Sequence, residues 1–162
     1  MENNNNNIEI NKIYNEDCLE GMKRIKDKSI DMILADLPYG TTQNKWDTVI
    51  PLDLLWKQYN RIIKDNGAIV LTAQTPFDKV LGVSNIKNLR YEWIWEKEQG
   101  TGHLNAKLMP MKNHENILVF YKKLPTYNPQ YTEGKPLHSK GKEYLNKEHK
   151  NENYGKFKMT DE

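Results

Sequence analysis

The residues with the most chemical promise in this sequence are Asp36-Leu37-Pro38-Tyr39-Gly40. A carboxylate, a peptide carbonyl held ahead of a proline and an aromatic ring follow directly on the apolar run at 30–35. That run reads as a strand buried on both faces, and ligands of open α/β sheets bind at the carboxyl edge of such strands. An Asp at a strand end can also simply cap a turn, so these residues alone leave a structural and a functional reading open. Asp17 precedes Leu19, Met22 and Ile25, which recur at helical spacing, so it can cap that helix. His114 and Glu115 enter the apolar run at 117–121, where a His is either polar surface or part of a site. Cys18 reads as a small buried residue. One cysteine and four histidines outside zinc-site spacing argue against an internal disulfide and against a metal centre.

Those groups need a scaffold. Residues 8–124 alternate strand-like and helix-like patterns, the mark of a parallel sheet with crossover helices, so the chain is expected to be α/β. Strands are expected at 8–15, 30–35, 68–73, 91–96 and 117–121. Pro51 opens a helix whose apolar stripe is Leu52, Leu55, Trp56, Tyr59, Ile62 and Ile63, closed by Asn66-Gly67. Thr75-Pro76 starts another, with Phe77, Val80 and Leu81 on one face. The stretch 98–114, with Gly100, Gly102 and Pro110, reads as structureless, either a binding loop or a flexible connection. Trp46, Trp93 and Trp95 read as core packing rather than stacking groups.

A chain of 162 residues and 37% hydrophobic composition has room for one compact domain with a core and too little for two full-sized ones. No apolar run approaches the roughly 20 residues that cross a bilayer. The Asn-rich start has neither the basic nor the apolar stretch of a signal peptide, so a cytoplasmic location is expected. Net charge is only +2, but residues 122–162 hold nine lysines against six acidic residues. Periodicity is lost there, and tyrosines are scattered among the lysines.

With these elements in place, residues 36–40 resemble the D-P-P-Y motif of DNA methyltransferases that modify exocyclic amino groups of adenine or cytosine using S-adenosylmethionine. Residues 15–19, Asn-Glu-Asp-Cys-Leu, resemble the G-D-C-L segment preceding that motif in one permuted class of the family. Residues 114–122, His-Glu-Asn-Ile-Leu-Val-Phe-Tyr-Lys, resemble its downstream H-E-x-I-L-V-F strand. The three landmarks stand in the family's order over residues 8–122. The resemblance implies a partial Rossmann-like methyltransferase sheet, mostly parallel with a terminal antiparallel strand. It implies that the Asp36 carboxylate and the Leu37 carbonyl accept the two amine hydrogens while Tyr39 stacks on a base flipped out of duplex DNA. Asp36, Leu37, Pro38 and Tyr39 are thus the expected catalytic residues, with Asp17 and Asp36 at the cofactor. Tyr39, His114, Lys135 and Lys140 are expected at the DNA. Leu37 stands where the family has its first proline; the carbonyl is kept, and Pro38 still restricts Leu37 to extended backbone.

The family's glycine-rich cofactor loop, F-x-G-x-G, follows the catalytic motif in this class and is not found in the sequence. The expectation is therefore an amino-terminal part of a longer enzyme: a disordered start at 1–7, a partial catalytic domain at 8–124, and at 125–162 a basic tail or the start of a target-recognition region. A complementing chain could carry the loop. Adenine is preferred to cytosine on the resemblance alone, and a non-catalytic remnant that binds DNA or a partner is the alternative.

Overall fold

The computed structural model describes residues 8–134, 148–151 and 155–158; the expected disordered start at 1–7 and the DNA contacts expected at Lys135 and Lys140 lie outside them. The chain divides into two compact units, Met1–Tyr127 and Asn128–Glu162. In the second, strands β5 (Glu148–Asn151) and β6 (Gly155–Lys158) pair antiparallel.

The first unit holds a four-stranded sheet flanked by short helices. Helix α1 (Cys18–Met22) begins where the Asp17 carboxylate accepts the backbone N–H groups of Leu19 and Glu20 at 2.8 and 3.2 Å, an N-cap that satisfies two otherwise orphaned donors. Strand β1 (Ile30–Asp36) follows, then α2 (Leu52–Ile62), β2 (Ile63–Ala73), α3 (Phe77–Ser84), β3 (Leu89–Thr101), a 3₁₀ turn (His103–Asn105) and β4 (Lys112–Phe120). The strand order is β1-β2-β4-β3. β1 runs parallel to β2, and β4 lies antiparallel to both β2 and β3. Three strands thus share one direction and the last in sequence opposes them, as expected, although it is inserted within the sheet. The α/β class and its Rossmann-like sheet are borne out.

The helices line one face. Leu55, Trp56, Tyr59 and Ile62 of α2 are buried in the helical spacing of its stripe, and the Trp56 ring centroid lies 4.9 Å from that of Phe120. From α3, Phe77 and Leu81 join the same cluster with Leu71, Ala73 and Leu118. Burial of side chains of this size stabilises by about 1.5–3 kcal/mol each, which makes this layer the main source of stability. None of the described helices is long and apolar enough to cross a membrane.

Several local expectations are corrected. Residues 8–15 form no strand: Asn11 sits at φ 61° and breaks the extended run, while Ile10 and Ile13 project into solvent with nothing to pack against. The sheet therefore has four strands, not five. Asn66-Gly67 does not end α2; the chain passes from Ile62 directly into β2, and Ile63 is a strand residue. Gly67 lies within that strand beside the irregularity facing Ile30 and Met32, where a Cβ would come within 2.7 Å of the Asp31 carbonyl, so close backbone approach, not a turn, requires the glycine. Residues 98–114 are largely ordered as a hairpin: β3 continues to Thr101, which pairs with Lys112 across it, and Gly102 at φ 89° begins the reversal. Val80 and Cys18 are exposed, Val80 because α3 turns it away from the sheet. Trp46, Trp93 and Trp95 are also exposed, the last two by 49% and 53%. Trp93 and Trp95 share with Ile117 and Glu115 the sheet face opposite the helices, while Trp46 lies in the loop between β1 and α2.

Candidate active site

The parallel register sets the site. Asp36 ends β1 directly beside Thr72 of β2, and the Thr72 hydroxyl donates to Asp36 Oδ1. Tyr39, three residues on, returns its hydroxyl to the same oxygen at 2.7 Å, 3.0 Å from Thr72 Oγ1 and 3.5 Å from Glu115 Oε2. Two hydroxyls thus converge on Oδ1, and no hydrogen bond among the described residues reaches Oδ2. Asp36 is exposed at the sheet edge, not turned into the interior. The Tyr39 ring stacks on Phe77, with centroids 5.4 Å apart and planes 23° apart. Its hydroxyl titrates far above the ordinary phenol range, because burial disfavours the phenolate and the charges of Asp36 and Glu115 add to that. Tyr39 is therefore a neutral donor at any physiological pH.

Leu37 packs its side chain into the core at 8% exposure. The departure from proline at this position thus has a structural return: the leucine pins the start of the loop to the helix layer, and Pro38 holds the backbone extended.

The other wall comes from β4. Glu115 is largely buried and pairs with the Lys97 ammonium of β3, which itself lies 5.9 Å from the Trp95 ring centroid. His114 is exposed, opposite Glu96 in the ladder. Gln74, Thr75, Met111, Lys112, His114 and Glu115 border a recess of about 380 Å³, at the end of the sheet where β2 finishes and β4 begins. One step along β4, Asn116 faces the helix layer and donates to the buried Asp78 carboxylate at 2.7 Å. This bond ties β4 to α3 behind the recess. Among the described residues, no group of three or more His, Cys, Asp or Glu side chains could hold a metal.

Of the expected site residues, Asp36, Leu37, Pro38 and Tyr39 form one corner, and His114 borders the adjoining recess through Glu115. The Asp17 carboxylate is engaged in capping α1. Sequence reasoning missed Thr72 and Asp47. Thr72 is invisible without the register that sets it opposite Asp36. Asp47 had a faint signal, an acid closing the polar run Thr-Thr-Gln-Asn-Lys-Trp; its carboxylate accepts the backbone N–H groups of Gly40, Thr41 and Thr42 at 2.8, 2.9 and 2.7 Å.

No protein-family model matches the chain. In fold it is similar to the cytosine-N4-specific PvuII DNA methyltransferase, with a TM-score of 0.55 at 14% identity over 69% of this chain and 49% of that one. It is also similar to M1.HpyAVI in its complex with SAM, with a TM-score of 0.50 at 19% identity over 78% and 60%. The chain carries the DNA methyltransferase fold. Its sequence agrees with this methyltransferase likeness: it is 28% identical over 134 residues to the type II methyltransferase M1.MboII of Moraxella bovis, across 75% of this chain. The chain spans about half the length of that curated relative. The resemblance first carried by residues 36–40 is thus borne out.

Proposed function

We propose that this chain is the amine-binding half of an S-adenosylmethionine-dependent methyltransferase that modifies an exocyclic amino group in double-stranded DNA, with adenine as the preferred base. The observation that carries the reading is the corner at Asp36. An aromatic amine is a poor nucleophile because its lone pair is delocalised into the ring, so the site must hold its two hydrogens and direct the lone pair outward. Asp36 Oδ1 is already occupied by Tyr39 and Thr72, which fixes the carboxylate and leaves Oδ2 to accept one amine hydrogen. The Leu37 carbonyl accepts the other. Such preorganised acceptors lower a barrier by orientation and electrostatic complementarity.

A base inside a duplex is reached by flipping it out, and an aromatic side chain repays part of the lost stacking. Phe77 backs one face of the Tyr39 ring, leaving the other for the base, while the recess walled by His114 and Glu115 receives the base edge. S-adenosylmethionine, when bound, supplies an electrophilic sulfonium methyl. Asp36 borders its reacting end and Asp17 its adenine. The described residues suit the amine end better than the cofactor's far end. Among them the only glycine-x-glycine is Gly100 to Gly102, in a hairpin and not in the strand-to-helix turn that cradles a cofactor.

The rest of the cofactor site is therefore supplied by a further α/β unit, either a continuation of the chain or a separate chain. Two features support this reading. Among the described residues β1 is an edge strand with no partner on one side, and the sheet face opposite the helices exposes Met32, Leu34, Trp93 and Trp95. Parallel strands are ordinarily covered on both faces. The M1.MboII match leaves about half of that protein unmatched, which is enough for such a unit.

The test is methyl transfer from labelled S-adenosylmethionine to duplex DNA by this chain combined with that unit, followed by digestion to nucleosides. Label in N6-methyladenine is expected. Label in N4-methylcytosine would overturn the base preference, and no label would overturn the activity.

A further inference from the structure

We infer that Asp47 is a positioning residue of the reactive corner: its carboxylate locks residues 40–42 into the closed turn that fixes where Tyr39 enters the site. This inference rests on the methyltransferase reading for its functional consequence but not for its geometry.

One side chain serves three consecutive amides. Oδ1 takes the Gly40 N–H, and Oδ2 takes those of Thr41 and Thr42. Three donors on one carboxylate make a strong, charge-assisted cluster, and Asp47 is only 7% exposed, so water competes little for those bonds. The carboxylate is itself placed by a turn in which the Asp47 N–H donates to the Asn44 carbonyl at 3.0 Å. Gly40 completes the closure. Its φ of 67° and the Val49 methyl lying 2.8 Å from where a Cβ would stand admit no other residue without a shift.

The loop has little else to hold it. Trp46, beside Asp47, is 73% exposed, and residues 41–46 are all exposed. On the amino-terminal side of Tyr39, Leu37 is sunk in the core. On the carboxyl-terminal side, the Asp47 clamp is what stops Gly40 and its neighbours from swinging away. The phenol ring between them is therefore held at both ends, which keeps its hydroxyl on Asp36 Oδ1 and its plane on Phe77. Misplacement of a positioned group by about 1 Å can cost on the order of 10²-fold in rate. A clamp one residue from the stacking ring has that leverage without touching substrate.

The test uses Asp47→Ala and Asp47→Asn, the second being a milder change whose single carbonyl oxygen can replace only one of the two acceptors. In the full chain, amide hydrogen exchange at Gly40, Thr41 and Thr42 is expected to quicken by ~10-fold or more in Asp47→Ala. The ring carbon signals of isotope-labelled Tyr39 should shift, and Asp47→Asn should fall between it and the unaltered chain. In the assembled methyltransferase, kcat should fall by ~10-fold or more while the KM for S-adenosylmethionine stays within about twofold, a split that general destabilisation would not give. Unchanged exchange at the three amides, or a Tyr39 ring unmoved when they open, would overturn the inference. If the unaltered enzyme transfers no methyl group, the methyltransferase reading fails, yet exchange and ring signals still decide the role of Asp47. Should Asp47→Ala not fold, Asp47→Asn carries the same measurements.

Discussion

The two faces of the four-stranded sheet are built from the same strands and have opposite fates. On one, Leu71, Leu118 and Phe120 meet α2 and α3 and are almost wholly removed from water. On the other, Leu34 is 67% exposed, and Trp93 and Trp95 stand half in solvent, with only Val70 and Val119 buried in the middle of the sheet. Alternation along a strand writes apolar side chains onto both faces, but it does not say which face finds a partner. In this molecule the covered face supplies the stability, and the open face, with the edge of β1, is the surface a further α/β unit would need.

Mutations on the two faces should therefore differ sharply. Phe120→Ala, at the centre of the helix-covered layer, is expected to cost about 3–5 kcal/mol in denaturant unfolding; a loss below 1 kcal/mol would mean that this face is not the core. Asn116→Ala leaves the buried Asp78 carboxylate without its amide partner and should cost about 1–3 kcal/mol, read by the same titration. A pH series sharpens the point. Burial of Asp78 works to raise its pKa, but its bonds to Lys79 and Asn116 outweigh that and hold it below the ordinary carboxylate range. Its contribution is thus fully present above the unfolded carboxylate pKa and is lost as pH falls through the lowered folded value. Thermal unfolding followed downward from neutral pH should show the gap between the unaltered chain and Asp78→Asn closing in acid; a gap that widens would contradict the assignment. The smallest effect belongs to the open face, where Leu34→Ser at a well-exposed position should change the stability of this chain by no more than about 0.5 kcal/mol. The same substitution, and Trp93→Ser on the same face, should weaken binding of the proposed complementing unit, as measured by calorimetry.

The sequence made some of this legible and hid the rest for physical reasons. The run at 30–35 followed by Asp36 was readable as a strand because an apolar run and its polar terminus contrast strongly in hydropathy. Its expected burial on both faces is corrected: Met32 and Leu34 are exposed, since β1 lies at the sheet edge and only its other face meets the helices. The α2 stripe was readable because its period is helical, and Asp17 because a cap is a local event. What failed depended on contacts distant in sequence. The burial of Trp93 and Trp95 could not be judged, since their alternation looks the same with or without a covering layer. The hairpin at 98–114 was obscured because its glycines signal loop wherever they occur, whereas pairing with residues 112–116 is what orders it. Thr72 entered the site through register alone. Asp47 did so through a turn that brings a carboxylate back onto three amides.

The most direct measurement of the central claim is the single-turnover rate of methyl transfer to duplex DNA by the assembled enzyme with Asp36→Ala. With the carboxylate proposed to hold the amine removed, the rate should fall by at least ~10²-fold, while the chain keeps its folded hydrogen-exchange pattern outside the corner of Tyr39 and Thr72. An undiminished rate in a correctly folded Asp36→Ala protein would contradict the account.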